Sequence, residues 1–319
     1  MPRYAASNWG WVALTLIVGG TAAIISRAAF WQKKNEVAIR PPGVRLLLPP
    51  QPAQSIAAGD LPYALISCSA YDSLNPNDKK AKRCPNGSAD LGDEWQPWIA
   101  FPDAELQTEM ASVHLRARVW ENKSKGLLVV SFGGTEAGSW NDWKSNFRWT
   151  QLWQKDEYTV LGSSYVRSFA EELARRRTQP GQEYLGKVTL ISTGHSLGAG
   201  LAEKFAYSLP AREFGIQHVD TVFAFDTSPV TTFLNTARNV RQENVIGLKI
   251  VRIYERGEGL AIVRAIASVV HKPSTVNPEV SQRRYNLFGD DRFGTTNPVA
   301  SHSIAELAEG LKKVAAGSN

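Results

Sequence analysis

An α/β fold built on a mostly parallel sheet is the class this sequence predicts, and three observations predict it. Strand-like and helix-like stretches alternate along the chain after about residue 120. Several of the strand-like stretches are short, continuously apolar runs, as expected of strands covered on both faces. A glycine-bracketed serine, Gly194-His195-Ser196-Leu197-Gly198, stands where one such run passes into a helical pattern.

The elements follow in order. Residues 9–26, WGWVALTLIVGGTAAIIS, carry no charge and are almost wholly apolar. With Trp9, Trp11 and Trp31 at its two ends, this stretch reads as an uncleaved N-terminal transmembrane helix at the short end of the spanning range. Residues 1–35 are therefore expected to be a membrane anchor. The basic excess after the stretch favours a cytoplasmic body by the positive-inside rule. A disulfide between Cys68 and Cys84, whose pairing the sequence leaves open, favours the periplasmic or outer side, which is the placement expected here. Residues 36–60 are rich in Pro, Ala and Gln (RPPGVRLLLPPQPAQ) and read as a semi-extended tether. The folded body is expected over residues 61–319.

Within it, Gly126–Phe132 is a β-branched run ending in a double glycine. Ser163–Arg177 sets Val166, Phe169, Ala170 and Leu173 at helical spacing with charge opposite. Lys187–Ser192 reads as a buried strand, followed by a helix over about Leu197–Leu209. His218–Phe225 and Leu248–Tyr254 are further strands, and a last helix covers about Ser303–Ala315.

Composition narrows the function. Of 319 residues, 43% are apolar and 21% charged, an ordinary balance for a folded protein. Four of the six net positive charges sit in residues 1–40, where Arg3, Arg27, Lys33, Lys34 and Arg40 face only Glu36. The remainder is nearly neutral and shows no aromatic-interleaved basic stripe, which argues against nucleic-acid binding. Two cysteines without a Cys-x-x-Cys pair give no cysteine metal site, and no metal or organic cofactor is expected.

The chemistry concentrates at Ser196. A sharp strand-to-helix turn forces its backbone into strain and exposes Oγ, and the flanking glycines are needed because neighbouring backbones come too close for side chains. A serine needs a base, and the base an orienting acid. His195 lies in the turn itself, where its ring points away from Oγ. His114 and His218 have bland surface or core explanations. Of His271 and His302, both after the nucleophile, His302 just before the last helix is the better placed base. Asp226, ending a strand, and Glu258, four residues past another, both qualify as the acid. The oxyanion donors expected are the Leu197 amide and the loop Phe132-Gly133-Gly134-Thr135.

These segments resemble the class 3 lipase family of the α/β-hydrolase superfamily, as a divergent bacterial branch. LLVVSFGGT and the later Asp-Trp, TGHSLGAGLA, Phe225-Asp226-Thr227-Ser228-Pro229 and Arg252 to Glu258 stand at the family's four motifs, over roughly residues 120–306. The resemblance implies an α/β-hydrolase fold with Thr135 in the oxyanion hole, Ser196 as nucleophile, Glu258 as acid and His302 as base. Three positions depart from the family: Gly133 replaces an arginine, Asp226 replaces a glycine, and Glu258 replaces an aspartate. Asp226 therefore stays open as the alternative acid. Trp140, Trp143 and Phe147, just after the oxyanion loop, fall where the family carries a lid and are expected to meet substrate; a core role for them stays equally open.

The expected function is carboxylester hydrolysis on acyl lipids, of lipase or phospholipase A type, with phospholipid favoured because the anchor would hold the enzyme against a bilayer. Two alternatives are an esterase or thioesterase on a non-lipid acyl substrate, and a non-catalytic membrane-anchored binding protein on the same fold. Protein partners are not indicated.

Overall fold

The computed structural model describes residues 32–71, 90–134, 157–227, 236–257, 274–289 and 303–317. Among these, nine strands form one sheet: β1 (Glu36–Arg40), β2 (Gln51–Pro52), β3 (Gln96–Pro97), β4 (Arg116–Asn122), β5 (Leu127–Gly133), β6 (Thr189–His195), β7 (Val219–Phe225), β8 (Lys249–Glu255) and β9 (Glu279–Asn286). The helices are α1 (Gln54–Ser69), α2 (Ala104–Ser112), α3 (Glu157–Val160), α4 (Val166–Arg176), α5 (Leu197–Ser208), α6 (Ala211–Phe214), α7 (Arg238–Asn244) and α8 (Ile304–Ala315), with a π-helical turn at Leu161–Tyr165 joining α3 to α4.

The strand order is β2-β1-β9-β8-β7-β6-β5-β4-β3. Strands β5 to β9 are mutually parallel, and β4 and β1 close the two sides antiparallel. Strand alternation divides the core into two layers. Leu128, Val130 and Phe132 of β5, Leu190 of β6, and Val222 and Ala224 of β7 face a layer built on α2, α4 and α5. Val129, Ile191, Phe225 and Ile253 face the other way, onto α1 and α8. A mostly parallel sheet with helices on both faces agrees with the expected α/β-hydrolase class, although the sequence reading missed its antiparallel flanks.

Local chemistry explains the individual elements. β5, LLVVSFG, is buried on both faces and can be apolar throughout. α4 buries Val166, Phe169, Ala170 and Leu173, the stripe its spacing predicted. α8 starts at Ser303, whose side chain accepts from the Glu306 amide, a serine cap three residues before a glutamate.

Two expectations are corrected here. Residues 36–60 are not a tether: β1 pairs with β9 over five residues, β2 pairs with β1, and α1 begins at Gln54. The prolines at 41, 42, 49 and 50 fall in the connection between the two strands rather than setting the character of the whole segment. The second correction concerns the membrane-anchored localisation. Among the described residues no helix is long and apolar enough to cross a membrane. The longest α-helix among them, α1, has 16 residues and buries Asp60, whereas a span of hydrocarbon needs about 20 apolar residues. Residues 9–26, where the anchoring helix was expected, lie outside the described residues.

Candidate active site

The centre of the site is the turn between β6 and α5. Ser196 has φ 56° and ψ −120°, a backbone conformation that side-chain-bearing residues rarely adopt. Its amide is held by the Phe225 carbonyl at 2.9 Å, and its carbonyl accepts from the Ala199 amide at 3.1 Å. The bracketing glycines are required by distance. A Cβ on Gly194 would lie 2.2 Å from the Gly198 carbonyl oxygen, and one on Gly198 would lie 2.3 Å from the Phe132 carbonyl oxygen. The turn is thus wedged between the ends of β5 and β7, and the expected strained geometry at Ser196 is observed.

Leu197 opens α5, so its amide belongs to the free N–H groups at the helix start, where the helix dipole favours negative charge. The double glycine at the end of β5 comes against the same turn. A Cβ on Gly134 would stand 2.7 Å from the Tyr71 hydroxyl oxygen, 3.0 Å from the His195 carbonyl oxygen and 3.3 Å from the Gly198 nitrogen. Gly133, where the resembled family carries arginine, leaves room for only 3.0 Å between such a Cβ and the Ala70 carbonyl. A side chain there would crowd the Ala70 carbonyl just past α1 and the Arg116 Cβ, so its neighbours would have to give by a few tenths of an ångström.

One residue that the sequence reading missed ties these parts together. Tyr71, just past α1, accepts a hydrogen bond from the Gly134 amide at 2.9 Å. Its hydroxyl also lies 3.1 Å from His195 Nδ1 and 3.2 Å from the His195 carbonyl oxygen, to which it donates. One phenol thereby joins the double glycine at the end of β5 to the Ser196 turn. No motif marks it, because its partner lies 124 residues away in the chain.

His195 is buried, with Nδ1 toward Tyr71 and Nε2 3.7 Å from Asp226 Oδ2. The expectation that this ring turns away from Oγ fits contacts made with Tyr71 and Asp226. Asp226 is fully buried, has φ 43°, and bonds the Ile253 carbonyl through its amide at 2.8 Å. The structure therefore brings Ser196, Leu197 and Asp226 to the same end of the parallel sheet and sets the Asp226 carboxylate beside His195. Thr135, Trp140, Trp143, Phe147, Glu258 and His302 lie outside the described residues, as does His271. Among the described residues no group of three or more His, Cys, Asp or Glu is arranged to hold a metal ion.

No protein-family model matches the chain, and no curated protein is similar enough to match. Solved structures similar to it include a fungal lipase in complex with an inhibitor, at 15% identity and a TM-score of 0.42, covering 72% of this chain and 78% of that one. The Lip2 lipase of Yarrowia lipolytica is similar at 15% identity and a TM-score of 0.40, over 63% of this chain and 72% of its own. The lipase of Rhizopus microsporus var. chinensis is similar at 16% identity and a TM-score of 0.37, over 64% and 68%. These are distant likenesses, and identity at this level says nothing of activity.

Proposed function

We propose that this protein is a serine carboxylester hydrolase acting on acyl lipids, with Ser196 as nucleophile. The observation that carries the proposal is the strained serine at φ 56° between β6 and α5, wedged by two glycines that tolerate no side chain. Strain of this kind costs about 1–3 kcal/mol and persists where surrounding structure holds it for a purpose. The resemblance of the four motifs to class 3 lipases supports the same reading and supplies the acyl-lipid substrate class.

In this proposal Ser196 Oγ attacks the ester carbonyl carbon while His302 takes the hydroxyl proton. The carbonyl oxygen becomes an oxyanion held by the Leu197 amide and by Thr135. Collapse of the tetrahedral intermediate breaks the bond to the alcohol, which leaves with the proton from His302. Water then attacks the acyl-enzyme, gives a proton to His302, and releases the carboxylic acid as Ser196 recovers its proton. Glu258 orients His302 and stabilises it when charged; Asp226 is the alternative for this role. Trp140, Trp143 and Phe147 are proposed to contact the acyl chain. The chemistry needs no metal or organic cofactor.

The test is labelling with a fluorophosphonate probe, which phosphonylates an activated serine. Mass spectrometry is expected to find the adduct on the peptide that contains Ser196. His302→Ala and Glu258→Gln should slow labelling strongly, and Asp226→Asn should slow it less. An adduct on another serine, or none on folded protein, would overturn the assignment.

A further inference from the structure

The sheet face that carries α5 turns basic at the β1 side. Register places Arg40 of β1 and Arg252 of β8 opposite the same residue of β9, Gln282. Residues directly opposite one another share a face. The row therefore reads Arg40, Gln282, Arg252 across three adjacent strands. Two residues along, on the same face, Arg284 of β9 stands opposite Tyr254 of β8. Strands lie about 4.8 Å apart, so neighbouring guanidinium-bearing positions in this patch are about 5–10 Å apart.

The carboxylate that the structure pairs with this patch is Glu203 of α5, which holds Arg252 at 3.2 Å. Arg40 is different. It is 4% exposed, its Nε has no hydrogen-bond partner, and its Nη1 reaches only the Arg45 carbonyl at 3.4 Å. Among the described residues it has no acidic partner. Burial pushes the Arg40 guanidinium down from its ordinary pKa, with Tyr254 opposing and Arg252 adding to the shift. Arg284 is pushed down as well, by burial and by the charge of Arg256, against Tyr254.

An uncompensated buried cation is costly, because its desolvation is not offset by an opposite charge. Opening to water is on the side of Arg252, whose side chain is 30% exposed, and of the half-buried Arg284. Guanidinium forks at this spacing match the oxygens of a phosphate group, which they bind through paired charge-assisted hydrogen bonds. We propose that Arg40, Arg252 and Arg284, with Gln282 and Tyr254 between them, form a binding site for a phosphate-type oxyanion.

The site belongs to the same end of the sheet as Ser196. Tyr254 follows Ile253, whose carbonyl takes the Asp226 amide, and β8 lies two strands from β6. At about 4.8 Å per strand, the patch begins about 10 Å from the Ser196 turn at Arg252 and reaches about 19 Å at Arg40, four strands away. It does not depend on the proposed hydrolysis, so binding is tested in the Ser196→Ala background, where turnover plays no part.

The experiment uses the full chain carrying Ser196→Ala and reads two signals. One is the melting temperature in inorganic phosphate against chloride at equal ionic strength. The other is co-sedimentation with phosphatidylcholine vesicles made with or without phosphatidylglycerol. Phosphate is expected to raise the melting temperature where chloride does not. Arg40→Gln is expected to abolish that shift, and the more exposed Arg284→Gln to weaken phosphate binding about tenfold, the effect of losing one charge-assisted contact. Should Arg40→Gln fail to fold, Arg284→Gln carries the test. Binding to phosphatidylglycerol vesicles that free phosphate displaces would identify a lipid headgroup as the source; a phosphate shift without vesicle binding would identify a free phosphate. A shift equal in phosphate and chloride, no shift in either, or phosphate binding unchanged in both variants would overturn the proposal.

Discussion

At Ser196 the backbone holds a conformation suited to glycine, φ 56° and ψ −120°, and pays for it in stability. Ser196→Gly removes the Cβ that makes this conformation costly, while adding freedom to the unfolded chain. The net expectation is a gain of about 1 kcal/mol in urea unfolding together with complete loss of esterase activity. Tyr71 makes the complementary case. Its hydroxyl spans Gly134 and His195, so Tyr71→Phe releases the Gly134 amide and one bond to the Ser196 turn while leaving the Ser196 side chain itself unchanged. We expect kcat to fall about tenfold with KM unchanged, since one weakened oxyanion donor acts on the transition state. A matched rise in KM with constant kcat would instead place Tyr71 in substrate binding. Ser196 was legible because its turn is local: strand, glycine, serine, glycine and helix follow one another in the chain. Tyr71 was not legible, because its role arises only when α1 packs beside β5 and β6.

Among the elements, α1 shows where local reasoning fails. It contains Gly59 and Pro62, both unfavourable inside a helix, and nothing in its sequence announces one. Packing of Ala57, Ala64 and Ile66 against the sheet and α8 overrides that preference. The VAIR run of β1 was likewise obscured by the prolines that follow it, although its partner strand β9 lies more than 240 residues away. Asp60 of α1 binds this layer to β9: it pairs with Arg283 and accepts from the Tyr285 hydroxyl at 2.7 Å. Burial raises its pKa from 3.8 to about 6 against the pull of Arg283 and Tyr285. A carboxyl raised on folding binds its proton more tightly in the native state, so stability is fullest below pH 4 and is lost as pH rises through about 6. A shift of this size corresponds to about 3 kcal/mol. Asp60→Asn should therefore flatten the fall in unfolding free energy between pH 4 and 6; an unchanged slope in the variant would assign it to other groups.

For the molecule as a whole, most of the parallel strand and helix alternation was readable, since strands buried on both faces leave apolar runs in the chain. The antiparallel margins were not, because β3 and β2 each have two residues and β4 alternates buried with partly exposed positions. The two cysteines left a disulfide undecided; the structure has Cys68 disulfide-bonded at the end of α1, three residues before Tyr71. Reduction is expected to lower unfolding free energy by about 2–4 kcal/mol, read from urea midpoints with and without reductant. Whether Ser196 hydrolyses acyl-lipid esters is decided by ester hydrolysis with the intact chain and its Ser196→Ala variant, on a short soluble ester and a long-chain aggregated one. Hydrolysis by the intact chain that disappears in the variant, with preference for the long-chain ester, is the expected result. Equal rates from both proteins, or no hydrolysis by a folded intact chain, would contradict it.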